Sequence, residues 1–132
     1  MTEKALEVVN RLLFANSDVT DIVGNNIHYA RAPINSTFPQ VIYFSVAGRD
    51  AYNVPYDGAT IQVSSWSADK LEALRLHTKI REIFRAYSGI VTTYLGDVNV
   101  NWTEFIEAAA LPQDDAQLYG YQLRFEIRIL NI

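Results

Sequence analysis

The chain has 132 residues and a mass of 14.9 kDa, the usual size of one folded domain. Hydrophobic residues make up 49% and charged residues 20%, enough to close a core without a covalent staple. The absence of cysteine excludes disulfides, thiolate metal sites, iron–sulfur ligation and a cysteine nucleophile together. A net charge of −4 and a pI near 5.0 also argue against binding a phosphate backbone.

The start, Met-Thr-Glu-Lys-Ala-Leu-Glu-Val-Val, has no basic leader, no apolar run and no small-residue cleavage site. Apolar stretches elsewhere are only a few residues long, far short of a bilayer span of roughly 20. A soluble protein made in a cytoplasm, with no membrane partner, is the expectation.

Near the N-terminus Ala5, Leu6, Val8, Val9, Leu12, Leu13 and Phe14 follow helical spacing, with Glu3, Lys4, Glu7, Asn10 and Arg11 facing away. Ser17 reads as the N-cap of a short second helix ending at Val23, with Asp18 and Asp21 near its positive end and Gly24 as its stop. Residues 27–32 read as a brief strand. A loop rich in Pro, Asn and Ser follows, and residues 41–47 are β-branched and aromatic enough for a strand. A long connection, 48–58, leads to a strand over 60–66.

Ser67 then reads as the cap of a long helix, with Asp69 in its first turn and Arg85 in its last. Ala73, Leu76, Ile80, Ile83, Phe84 and Tyr87 share one face of it, and Gly89 ends it. Strands are expected over 90–95 and from 98 to about 109, turning at Gly96-Asp97, with a polar loop over 111–117. The closing strand, 118–130, alternates cleanly. Tyr119, Tyr121, Leu123, Phe125, Ile127 and Ile129 point one way; Gln122, Arg124, Glu126 and Arg128 point the other. The order α-α-β-β-β-α-β-β-β gives a single α+β domain over 1–132, an antiparallel sheet packed on one face by helices. Its N-terminal helices cover about 2–23 and its long helix about 68–87, with strands at about 41–66 and 90–130.

No catalytic, metal or cofactor site emerges. His28 and His77 are isolated, with no His-x-His or His-x-x-x-His pair, and read as structural or surface residues. Asp18 and Asp21 are explained by the helix start. Glu104 and Glu107, three apart in a strand, fall on opposite faces unless a bulge intervenes. There is no Gly-x-Ser-x-Gly elbow and no phosphate-cradling glycine loop. Tyr43, Phe44 and Trp66 could stack bases, yet no basic cluster accompanies them, so no nucleic-acid partner is expected.

Two features suit an interface instead. The 48–58 connection carries Arg49, Tyr52, Val54, Pro55, Tyr56 and Asp57, and aromatic loop residues are good anchors. The outward ladder Arg124, Glu126, Arg128 suits either solvent or a complementary neighbour in a ring. Asp114 and Asp115, in the 111–117 loop, complete the candidate contact set.

The order of pieces is similar to that of tail-completion proteins, the tail-terminator or tail-to-head joining proteins of long-tailed bacteriophages and prophages. The residues carrying the resemblance are the 17–24 run Ser-Asp-Val-Thr-Asp-Ile-Val-Gly, then Asn26-Ile27-His28-Tyr29, and Ala32-Pro33 leading to Phe38-Pro39-Gln40-Val41-Ile42-Tyr43. Ile61-Gln62-Val63-Ser64-Ser65-Trp66-Ser67 running into Asp69-Lys70-Leu71-Glu72-Ala73 also fits, as does the closing Leu118-Tyr119-Gly120-Tyr121-Gln122-Leu123-Arg124-Phe125. The resemblance implies a non-enzymatic virion protein without cofactors that forms a hexameric ring on the tail tube. It implies a stop to tube polymerisation, contacts with the tail tube protein and the head connector, and assembly in the host cytoplasm. A head–tail neck or connector protein of the same virion is an alternative reading of this layout. A small α+β ligand-binding or enzyme domain, with a pocket between sheet and helix, is the alternative from another class.

Overall fold

The computed structural model describes residues 2–49, 56–111 and 118–130; for 2, 47–49, 56 and 57 the description is of the backbone. The elements are α1 (Thr2–Ala15), α2 (Ser17–Val23), β1 (Ile27–Tyr29), β2 (Gln40–Arg49), β3 (Tyr56–Ser67), α3 (Lys70–Phe84), β4 (Gly89–Thr93), β5 (Gly96–Leu111) and β6 (Tyr119–Leu130). Six strands form one sheet, in the order β1-β2-β3-β6-β5-β4, curled into a half-barrel. The domain is α+β.

The sheet is mixed, not wholly antiparallel as expected. β1 runs parallel to β2, pairing Ile27 with Val41 and Tyr29 with Tyr43, while every other neighbouring pair is antiparallel. The reason is the intervening loop, which carries the chain back to the starting end before β2 begins. β1 stops at Tyr29 because Ala30 takes φ 66°, a left-handed conformation that breaks the extended run.

The seam of the sheet is β3 against β6, registered without a break from Tyr56 opposite Leu130 to Ser67 opposite Tyr119. Helix α3 lies across that seam and α1 packs beside it, so all three helices share one face. Ala5, Val8, Val9 and Leu13 of α1 meet Ile61 and Val63 of β3, Leu123, Phe125, Ile127 and Ile129 of β6, and Leu76, Ile80 and Phe84 of α3 in one core. Each large side chain there contributes about 1.5–3 kcal/mol by leaving water. Phe84 stacks on Phe125 with ring centres 4.6 Å apart. The Thr103 hydroxyl lies 2.9 Å from the Phe84 carbonyl and 3.1 Å from that of Tyr87. Its single proton serves one of these at a time, tying the end of α3 to β5.

The helix caps sit one or two residues from where the sequence puts them. Asn16, not Ser17, caps α2, its Oδ1 accepting the Asp18 N–H at 3.0 Å. Asp69, not Ser67, caps α3 and accepts from Leu71 N–H at 2.9 Å and Glu72 N–H at 3.3 Å. Ser67 still supports the start: its hydroxyl accepts from Asp69 N–H and donates to Glu72 Oε1 at 2.8 Å. At the other end α3 stops at Phe84, with Ala86 taking positive φ; Gly89 opens β4 instead.

Three boundaries change the reading of the loops. The β2–β3 ladder runs to Arg49 opposite Gly58, and Tyr56 and Asp57 pair with Leu130 and Ile129 of β6. Arg49, Tyr56 and Asp57 therefore belong to strands, not to a long loop. The β4–β5 turn is at Tyr94-Leu95, before Gly96, which pairs with Thr93 and takes a φ of 99° that favours glycine. Finally, β5 carries register shifts between Val100 and Trp102 and between Phe105 and Glu107. The second shift places Glu104 opposite Glu126 and Glu107 opposite Arg124. Glu104 and Glu107 thus share the outer face, because a bulge, the exception to the alternation rule, is present between them.

Gly120 is required by close approach. A Cβ there would lie 2.6 Å from the Trp66 ring, which covers the strand at that point. At Gly58 the nearest atom would be Glu126 Oε1 at 3.2 Å, the movable end of a side chain. Gly120→Ala should therefore cost about 1–3 kcal/mol by overpacking, and Gly58→Ala much less. Urea unfolding of the two variants side by side checks the contrast, and equal midpoints would refute it.

Candidate assembly surfaces

With every helix on one face, the other face of the sheet is left to its own side chains. Gln62 and Ser64 of β3 are buried there although no helix covers them. Arg124 donates from Nη2 to Gln62 Oε1 at 2.8 Å, and Gln62 Nε2 lies 3.2 Å from Ser64 Oγ. Gln122 donates to Glu107 at 2.7 Å, and Arg128 pairs with Glu126 at 3.3 Å. The Arg128 guanidinium also sits 4.4 Å above the Trp102 ring, a cation–π contact. Arg124, Glu126 and Arg128 are half-buried in this network and not the freely solvated ladder that alternation suggests. Arg124 Nε is buried without a partner.

Of the residues singled out from sequence, Arg124, Glu126 and Arg128 are brought together on this face. Arg49, Tyr56 and Asp57 lie in the backbone at the same end of the sheet, Arg49 opposite Gly58 and Gly58 opposite Arg128. Tyr52, Asp114 and Asp115 lie outside the described residues. Sequence reasoning passes over Trp102, Val46 and Ile106. Val46 and Ile106 sit at the register shifts of β2 and β5, and both are exposed. No local sequence signal marks such a shift, so only strand pairing reveals what these side chains face.

Among the described residues no group of three His, Asp or Glu could hold a metal ion. A surface groove of about 380 Å³ beside α1 is lined by Glu3, Leu6, Glu7, Tyr29 and Tyr43, and another of about 480 Å³ follows Leu71, Leu74, Arg75, Thr78 and Lys79 on the outer side of α3. Tyr43 in the first accepts a 2.9 Å hydrogen bond from Asn10, and burial raises its pKa. No helix among the described residues is long and apolar enough to cross a membrane.

Against known families, residues 7–130 match the model described as "Tail completion protein gp17". The chain belongs to that family. Its fold is similar to that of a chain in the solved "Virion of native gene transfer agent (GTA) particle", with a TM-score of 0.74 at 19% identity, covering 98% of this chain and 97% of that one. A second solved chain aligns with a TM-score of 0.56 at 9% identity, over 96% and 92% of the two chains. No curated protein matches. Membership makes this chain a structural component of a phage tail.

His77 is the strongly perturbed group in this family member. It is 4% exposed, stacked 5.4 Å from Tyr121 between α3 and β6. Burial first, and the Arg81 guanidinium second, hold its pKa down to about 4, against 6.5 in an unfolded chain. Between those values the unfolded chain binds a proton that the native one refuses, so stability falls as pH drops from 6.5 to 4. The full loss is up to about 3 kcal/mol, at 1.36 kcal/mol per pKa unit. His77→Leu should therefore lose less stability than the parent between pH 7 and pH 4, measured by urea unfolding at both. An unchanged pH dependence would show that His77 is not the group responsible.

Proposed function

We propose that this chain caps the finished tail tube as a sixfold ring, stops tube polymerisation and presents a surface to the head connector. The observation that carries the proposal is the family match over 7–130, on a six-stranded sheet whose outer face carries no helix among the described residues. A ring needs two unlike, complementary patches on each subunit. We assign the outer face with Arg124, Glu126 and Arg128, and the strand ends bearing Arg49, Tyr56 and Asp57, to contacts in the assembly, with Tyr52, Asp114 and Asp115 as further contact residues. The partners are other copies of the chain, the tail tube protein and the head connector, in a virion assembled in the host cytoplasm. The role needs no catalysis and no cofactor.

Particles produced without this chain test the role directly. Electron microscopy should show heads lacking tails together with free tails of uncontrolled length. Free tails of normal length would point to a neck protein instead, and normally attached tails would end the proposal. At the residue level, Tyr52→Ser with Tyr56→Ser should cost no more than the ~1 kcal/mol of losing a tyrosine from β3, and should abolish tail attachment. A much larger loss of stability by urea unfolding would assign these tyrosines to the core of the fold.

A further inference from the structure

The two edges of the sheet are each only half covered. On one edge β1 pairs with β2 at residues 41–43, leaving 44–49 without a neighbour on that side among the described residues. On the opposite edge β4 pairs with β5 at 96–100, and the Thr103 hydroxyl meets the end of α3; residues 104–111 have no outer strand neighbour there among the described residues. Such edges are normally blunted by proline, lysine or inward charge. Residues 104–111 contain no proline and no basic residue, and neither do 44–48. Each bare stretch also exposes an apolar side chain at its register shift, Val46 at 43% and Ile106 at 56%.

We infer that these two bare edges pair with each other between copies of the chain. The 104–111 stretch of β5 adds as an antiparallel strand beside 44–49 of β2 in the next subunit.

Three observations select this occupant. First, direction fits: β2 and β5 run oppositely within one sheet, so a neighbour continuing the sheet brings them together antiparallel. Second, the bare stretches lie at diagonal corners. Phe44 is level with Gln62, Arg124 and Glu107, so 44–49 extends toward the β2–β3 hairpin and 104–111 toward the other end. A copy shifted along the strands seats each bare stretch in the gap where the other subunit's short edge strand stops. Third, charge discriminates the pairing. Residues 104–111 carry Glu104 and Glu107, whereas 44–49 carry Arg49, and antiparallel alignment brings Arg49 toward the Glu104 end. Two β5 edges paired with each other would instead gather four glutamates and no basic residue into one contact, which is unfavourable. The contact is therefore head-to-tail, as a ring requires. Main-chain hydrogen bonds hold it and the side chains at the two shifts set its register.

The pairing deepens the ring reading and rests on it only for closure of the assembly. The chain has no cysteine, so introduced thiols report cleanly. Val46→Cys, Ile106→Cys and the double variant would be treated with a short bismaleimide, after native mass at the same concentration. The double variant should give a ladder of multiples of the 14.9 kDa chain. Each single variant should stay uncoupled, and a mixture of the two should stop at the dimer. Ile106→Lys should reduce the native mass to that of one chain, while Leu71→Lys, on the exposed side of α3, should not.

A single variant coupling with itself would overturn the pairing in favour of like-with-like contact. A native multimer whose double variant gives no ladder would overturn it too, and would leave the ring to other surfaces. A chain that stays monomeric and uncoupled at every concentration would overturn it, and the micrographs of particles lacking the chain would still decide the ring reading.

Discussion

Everything in this molecule depends on the β3–β6 seam and the helix laid across it. The seam joins the two halves of the chain, the β1–β2–β3 half and the β4–β5–β6 half, and α3 is the covalent link between them. Stacking of Phe84 on Phe125 and the tie from Thr103 to the end of α3 fix where the second half docks. Because α1 and α2 pack against the same core, the hydrophobic surface is spent on one face. The opposite face must then satisfy itself. It does so with Arg124, Gln62, Ser64, Glu107 and Gln122 in a hydrogen-bonded layer, which keeps a buried polar surface ordered without a covering element.

The elements that bury one face were legible in the sequence because burial imposes a period. The alternation of β6 and the helical stripe of α3 follow directly from which side chains leave water, and both appear with the residues expected. Features set by pairing were not legible. Glu104 and Glu107 share a face only because β6 forces a bulge at Ile106, and Tyr56 is strand because β6 extends beyond β2. The run Ala108-Ala109-Ala110 is a poor strand former, yet it is held extended by Leu123, Gln122 and Tyr121. Caps were nearly right for a related reason. Ser67 and Asp69 both bond the start of α3, and only geometry decides which one holds the cap position.

The candidate surfaces follow the same division. Arg124, Glu126 and Arg128 could be placed on one face by alternation alone, but their half-burial and the stacking of Arg128 on Trp102 depend on neighbouring strands. Family membership rests on a match that runs over residues 7–130, nearly the whole chain, and not on any single motif.

An uncovered sheet face and bare strand edges are costly for a protein that works alone. Exposed edges invite pairing with any extended segment, and most folds suppress them. Here the suppression is partial and asymmetric: β1 and β4 each shield one half of an edge and stop. Had either short strand run the full length of its neighbour, that neighbour would have no bare half and the edge would pass to the added strand. The bulges at Val46 and Ile106 bend the bare halves, which discourages indiscriminate pairing with flat strands. They also turn apolar side chains outward, which rewards a neighbour of matching shape. Selectivity of this kind has a use where the same contact must form repeatedly between identical copies and with nothing else, as assembly of a virion tail demands.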